Sequence, residues 1–267
     1  MEKFGEEIEG LLHFLKSNDL EVGIASWHLT NYLVFLFVAI VVLLVVFFVA
    51  RSKAALIPKG RFYNLIELLV EFVRNDIAVA NIGPDGARYF PFLGTVFFFI
   101  LINNIIGTIP GGKPGTGTMG VTVALALVAF VMFNAAGMQK RGVGGYIKGL
   151  VPHGVPGVLW PVIWVIEIIS LIIRPFTLSI RLFANMYAGH IVLGIFSILT
   201  SIAAEQIIAG LLHGAGGGAV AVGGISAVAW MFLLTALYLL EIGVAILQAY
   251  IFTLLTTVYI SLAVSEH

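Results

Sequence analysis

Two acids, two arginines, a histidine and two side-chain amides interrupt stretches of this chain that are otherwise hydrocarbon, and these are the residues that could do chemistry. Glu167, Arg174 and Arg181 are seven apart, and Asn185 follows four later. On a helix of 3.6 residues per turn, those spacings form one stripe. His190 lies nine beyond Arg181, on the opposite face. Glu241 and Gln248 are again seven apart, and Phe252, Leu255 and Tyr259 continue their stripe. Arg181 is the most demanding of the set, because a guanidinium stays charged at physiological pH and costs about 2.5–3.5 kcal/mol at the centre of a bilayer. It therefore needs an anion, and its own helix offers only Glu167, two heptads away. No Lys or Arg follows it in the chain, so no downstream cation shares that anion. Ionisable groups at membrane depth mark ion or proton paths. Plainer readings exist for the others: Glu167 and Arg174 as a buried ion pair, His190 as a satisfied core histidine, and Glu241 and Gln248 as interhelical glue.

The surroundings justify speaking of membrane depth. The 267 residues are 60% hydrophobic and 10% charged, with a mean hydropathy of +1.07, against about 25% charged in soluble domains. Zero net charge gives no reason to expect nucleic acid or an anionic soluble partner. The absence of cysteine excludes disulfides, thiolate metal sites and thiol nucleophiles. Met1 to Glu21 is acidic and polar, unlike a secretory signal, and reads as a retained N-terminal segment within residues 1–28.

The pattern predicts an all-α membrane protein. A first span covers residues 29–50, flanked by Trp27 and Tyr32 at one interface and Arg51 and Lys53 at the other. Residues 51–88 form a loop containing an amphipathic surface helix over Phe62 to Val73, with Glu67, Glu71 and Arg74 on one face. A transmembrane hairpin follows at 89–138, its second span opened by Pro91 and its third running from about Met119 to Met138. The turn between them, Pro110 to Gly115, is too rich in Pro and Gly for helix. Asn103 and Asn104 stand near the far end of the second span. After a loop at 139–157, residues 158–204 and 220–264 are two apolar stretches separated by a Gly-rich connection at 205–219. Each would be on the order of 65 Å long as helix, about twice the hydrocarbon thickness. No turn cluster divides either, so the expectation is a hairpin of two long, steeply inclined helices, the first bent at Pro175.

Six cations in the 51–88 connection (Arg51, Lys53, Lys59, Arg61, Arg74, Arg88) and three after the third span (Lys140, Arg141, Lys148) oppose Lys3, Lys16 and Lys113 on the other side. The positive-inside rule then puts the N-terminus outside and the C-terminus in the cytoplasm. A stand-alone proton-coupled transporter would need an internal repeat, and none is visible. His153, His190 and His213 lack the spacing of an intramembrane metalloprotease, and no phosphate-binding Gly-x-x-x-x-Gly-Lys-Ser/Thr loop exists.

Arg181-Leu182-Phe183-Ala184-Asn185-Met186-Tyr187-Ala188-Gly189 and Leu247-Gln248-Ala249-Tyr250-Ile251-Phe252-Thr253 resemble the two signature segments of subunit a of the rotary ATP synthase membrane sector. Asn104-Ile105-Ile106-Gly107-Thr108-Ile109-Pro110 is similar to that family's Asn-x-x-Gly-x-x-Pro segment, so the likeness covers most of the chain after residue 90. The resemblance implies a stator with two inclined helices against a rotating ring of c subunits, in a bacterial plasma (inner) membrane. Peripheral-stalk b subunits and the rest of the ATP synthase would be further partners. It implies no cofactor, and ATP chemistry on other chains. Arg181 would face the ring carboxylate, with Asn185 and Gln248 flanking it. His190 and Glu241 would line the outer half-channel, histidine first as in mitochondrial types, and Glu167 and Arg174 would lie towards the cytoplasmic one. Gly107 and Thr108 stand where some members carry acids, so the outer channel would rely more on Asn103, Asn104, His190 and Glu241. The glycines from Gly214 to Gly218 make a longer connection than is usual in the family.

The cation count makes a prediction that this cysteine-free chain is well suited to test. Lys148→Cys is expected to react with a membrane-impermeant maleimide in inside-out vesicles and not in right-side-out ones; the reverse pattern overturns the orientation.

Overall fold

The computed structural model describes residues 5, 7–10, 19–20, 29–52, 60–109, 111–149, 156, 159–212 and 217–265. Most of the N-terminal segment, Lys53, Lys59, Pro110, His153 and residues 213–216 of the Gly-rich connection lie outside them. Among the described residues, five helices are long and apolar enough to cross a membrane. The protein is an all-α membrane protein. Its only extended elements here are β1 (Asp19–Leu20) and β2 (Leu29–Thr30), a two-residue antiparallel pairing.

Helix α1 (Asn31–Ser52) is apolar all round and buries one thin stripe, Tyr32, Ala39 and Leu43. Phe47 meets Phe98 edge-on at 5.2 Å, and Phe37, Val41, Leu44 and Phe48 remain exposed. In a bilayer that exposure is the ordinary contact of a peripheral helix with lipid. Helix α2 (Arg61–Glu71) is amphipathic with Ile66 buried, but the element does not stay on the surface. It continues as a π-helical stretch (Phe72–Val79) and a last turn (Ala80–Ile82), and Val73, Ile77 and Ala78 are fully buried there. Ser261 near the end of the chain donates its hydroxyl to Asn81 O at 2.7 Å, tying this segment to the last helix.

Helix α3 (Gly86–Thr108) begins five residues before Pro91, which lies inside it rather than opening it. Pro91 forfeits only the bond to Ala87 O on an exposed turn. Gly86 meanwhile packs so tightly on the Ala78 carbonyl that a Cβ there would collide with it. That contact, and not the proline, sets the start. The connection after α3 folds back into the protein as a 3-10 turn (Gly115–Gly117). Gly107 and Pro114 touch, and Lys113 is buried over the Tyr32 ring at 5.4 Å. Burial holds the Lys113 ammonium below the ordinary lysine range.

Helix α4 (Met119–Lys148) runs ten residues past the expected end at Met138, with a break at Gly142, where φ is +71°. Two helices meet there, and only glycine adopts that conformation without strain. Helix α5 (Trp160–Leu212) and helix α6 (Gly217–Val264) are each continuous, of 53 and 48 residues. At 1.5 Å per residue these are about 80 and 72 Å long, so both must incline steeply to stay in a bilayer. Helix thus occupies most of the 205–219 stretch expected as a connection, because Glu205 to Leu212 is made of residues compatible with helix. Helices α5 and α6 pack on each other and on the α3–α4 hairpin. The core lies at that junction, around Leu93, Phe97, Ile100, Phe133, Leu178, Leu182 and Phe252.

Gly107 tests the back-folded connection, because a Cβ there would lie 2.6 Å from the Pro114 ring. Gly107→Val is expected to destabilise the chain by about 1–3 kcal/mol through overpacking, read as a lower Tm of the detergent-solubilised protein. Gly120→Ala, with nothing within 4 Å, is expected to leave Tm unchanged.

Candidate functional site

The polar stripes meet where α5 and α6 cross. Four contacts set their antiparallel register. The Arg174 guanidinium stands over the Tyr259 ring at 5.3 Å, the Glu241 carboxyl rests against Gly189, Phe196 meets Trp230 at 5.9 Å, and Gly223 faces Ile207. Arg181 falls between the first two rungs, seven residues from Arg174 and eight from Gly189. That interval on α6 contains Gln248 and Phe252.

Helix α5 turns Pro175, Leu178, Ser179, Leu182, Met186 and Leu193 inward, at spacings of three, four and seven. Arg181 is off this stripe and exposed, among exposed Ile173, Phe176, Ile180, Ala184 and Tyr187. Phe176 is 58% exposed, and an apolar surface of this kind beside a charge is no soluble-protein face. Arg181 has no hydrogen-bond or ion-pair partner among the described residues. Glu167, half-buried, is likewise unpaired, so the Glu167–Arg174 ion pair does not form and Arg174 stacks on Tyr259 instead.

Helix α6 presents Glu241, Ala245, Gln248, Ala249, Phe252, Thr253, Thr256, Thr257 and Ile260 as one buried stripe. Two alanines at the crossing let the backbones approach closely. Glu241 is 7% exposed, and its carboxyl occupies the space that a side chain at position 189 would need. A pocket of about 190 Å³ opens beside it, lined by Asn185, Ala188, Gly189, Leu237, Glu241 and Val244. The structure therefore brings Asn185 and Glu241 to one small cavity. His190 has no hydrogen bond to Glu241, and its Nε2 is buried without a partner. Gln248 is buried and its Nε2 is also unpartnered, so among the described residues its amide nitrogen does not bond across to another helix as interhelical glue.

From α3, Asn104 is fully buried, donates Nδ2 to Ala245 O at 3.4 Å and accepts a hydrogen bond from Thr116 at 2.8 Å. Asn103, also buried, donates to Phe99 O at 3.0 Å and leaves Oδ1 unpartnered near Gly115. Four buried polar atoms on α3, α5 and α6 thus stand unpaired or weakly bonded among the described residues, and buried atoms of this kind are satisfied by water, ions or partner groups.

Residues 32–261 match the family described as ATP synthase A chain. The chain belongs to that family. It is similar to ATP synthase subunit a of Myxococcus xanthus (strain DK1622), at 40% identity over 99% of this chain and 79% of that protein. It is similar also to the subunit a of Chloroherpeton thalassium, at 38% over 99% of this chain and 74% of that one, and of Anaeromyxobacter sp. (strain Fw109-5), at 37% over 94% and 58%. The chain thus spans between 58% and 79% of the length of these three relatives.

Within this family member, residue spacing alone did not single out Gly189, Thr116 or the Ser179–Thr122 contact at 3.3 Å. Gly189 had one sequence signal, its place at the end of the Arg181 segment, but nothing indicated that an acid from another helix lies on it. Gly189→Ala is expected to force the Glu241 carboxyl into the pocket. Carbodiimide labelling of Glu241, followed by mass spectrometry of its peptide, should rise severalfold; unchanged labelling contradicts the packing.

Proposed function

We propose that this chain is the stator subunit of the ATP synthase membrane sector, providing two offset proton half-channels and, in Arg181, the arginine that faces the carboxylate of a c-ring. The observation that carries the reading is an exposed arginine with no partner among the described residues, on the apolar face of a long helix. Such a cation is tolerable in a membrane if another polypeptide delivers the anion. The outer half-channel would use Glu241, Asn185, His190, Asn103 and Asn104. Glu167 and Arg174 would lie on the cytoplasmic side, and Gln248 would stand level with Arg181.

The mechanism follows from charge and solvation. A ring carboxylate within about 4–6 Å of Arg181 has its pKa lowered and releases its proton to one aqueous path. The same carboxylate moving on into lipid must be neutral, so it first takes a proton from the other path. The fixed positive charge between the paths bars direct passage of protons. Each charge moved through 100 mV supplies about 2.3 kcal/mol, so several are needed per ATP. Glu241, resting on Gly189 about 12 Å along α5 from Arg181, can hand protons to the carboxylate through water in the Asn185 pocket.

The complete assembly, with its c-ring, peripheral-stalk b subunits and nucleotide-bearing subunits, would sit in a bacterial plasma membrane with the N-terminus outside. Arg181→Ala is expected to abolish proton-driven ATP synthesis in membrane vesicles while the complex still assembles. Normal coupled synthesis by that variant would refute the role given to Arg181.

A further inference from the structure

Thr116, in the turn that folds back after α3, is none of the groups assigned to the outer half-channel, yet it bonds directly to one of them. The turn that carries it is closely held. Gly117 N–H donates to Pro114 O at 2.9 Å, and the Thr118 hydroxyl donates to Gly115 O at 2.9 Å. Residues 112–117 are all buried, and the 3-10 turn packs on α1, α3, α4 and α5. Gly115 sets its depth, since a Cβ there would lie 2.6 Å from Leu36 Cδ1 of α1 and 3.0 Å from Asn103 Oδ1 of α3. Thr116 is thereby delivered to the helix junction with no exposed surface.

Its hydroxyl donates to Asn104 Oδ1 at 2.8 Å, and Asn104 donates Nδ2 to Ala245 O through a longer bond of 3.4 Å. Ala245 lies four residues, about one turn, past Glu241 on the buried stripe of α6. The direction of this chain of bonds follows from the chemistry of an amide, which presents an acceptor at one end and two hydrogens at the other. With Thr116 donating to the oxygen, the nitrogen faces α6. Turned over, Asn104 would set its oxygen against the Ala245 carbonyl, acceptor to acceptor. Without the hydroxyl, Oδ1 would be buried with no donor, and satisfying it by water would draw the amide off Ala245 O. One Nδ2 hydrogen goes to Ala245 O, and the second has no acceptor among the described residues. The adjacent Asn103 leaves Oδ1 buried without a donor. Open donors and acceptors of this kind are the partners that buried water takes.

We propose that Thr116 is a positioning residue for the outer proton path: its hydroxyl holds the Asn104 amide with its N–H side towards the turn of α6 that carries Glu241, so that water on its way to Glu241 meets a fixed donor. Thr116 exchanges no proton itself and acts through Asn104. The inference rests on the outer half-channel given above under the proposed function.

Proton-driven ATP synthesis by the complete complex in membrane vesicles tests it. Thr116→Val keeps the shape and removes the hydroxyl; it is expected to assemble and to slow synthesis about tenfold, the equivalent of one hydrogen bond. The ratio of rates in ordinary and heavy water is expected to rise in that variant, which a merely structural loss would not produce. Thr116→Ser retains the hydroxyl and is expected to keep most of the rate and the wild-type ratio. A wild-type rate for Thr116→Val, an unchanged isotope ratio, or a Thr116→Ser variant as slow as Thr116→Val overturns the role. Arg181→Ala, measured alongside, separates the two readings: if it stays coupled, the stator reading falls and takes this one with it, whereas if it is inactive, a wild-type Thr116→Val overturns the Thr116 role alone. Where Thr116→Val fails to assemble, an electron cryomicroscopy map of the wild-type complex that resolves water decides. Water at about 3 Å from Asn104 Nδ2 supports the proposal, and a dry Nδ2 overturns it.

Discussion

A charge that cannot be removed, held on an apolar helix face, is the constraint from which the rest of the structure takes its meaning. Arg181 is exposed and unpartnered among the described residues while Leu178, Leu182 and Met186, its neighbours on the helix, are buried. The placement is stable against rotation. Turning α5 to bury Arg181 would expose that inward stripe, and would take the guanidinium into a junction whose nearest acid, Glu241, is already seated on Gly189. The helix therefore holds the cation outward. An outward cation at bilayer depth is unfavourable in isolation, and the proposed stator role makes that cost the device by which a passing carboxylate is ionised.

The packing around the crossing serves the same end. Small residues at Ala245, Ala249 and Gly189 allow α5 and α6 to approach, and side-chain amides bond to backbone, with Asn104 tied to Ala245 O. Thr253, Thr256 and Thr257 on α6 donate to carbonyls four residues back, which satisfies their hydroxyls inside the bundle without any partner helix. Among the described residues, buried side-chain atoms without a partner stand instead at His190, Gln248 and Asn103 in this region, and at Arg141 and Trp164 outside it. Polar groups that exist only for packing find partners; a group that exchanges protons or meets water needs a free lone pair or hydrogen.

Much of this was legible from residue types. Hydropathy located five spans, and the absence of any turn cluster between Val158 and Ala203 or between Val220 and Val264 distinguished inclined helices from short hairpins. What spacing could not reveal were contacts between distant segments. Pro91 reads as a helix start by its own chemistry, yet the close approach of Gly86 to Ala78 sets the boundary. Gly142 in an otherwise helical run carried no mark of a positive φ. Amphipathicity over Phe62 to Val73 reads as a surface helix, whereas the π-helical continuation plunges Val73 and Ile77 into the core. Among the site residues, heptad spacing identified the stripes, but it paired Glu167 with Arg174 as one option where the aromatic face of Tyr259 takes the cation.

The central claim is that the anion for Arg181 comes from another polypeptide. An electron cryomicroscopy map of the complete complex in lipid measures it directly, as the distance from the guanidinium to the nearest carboxylate. The account predicts a carboxylate of a neighbouring membrane subunit within about 6 Å. An acid of the chain itself at that position, or a guanidinium bathed in water with no facing subunit, would contradict it.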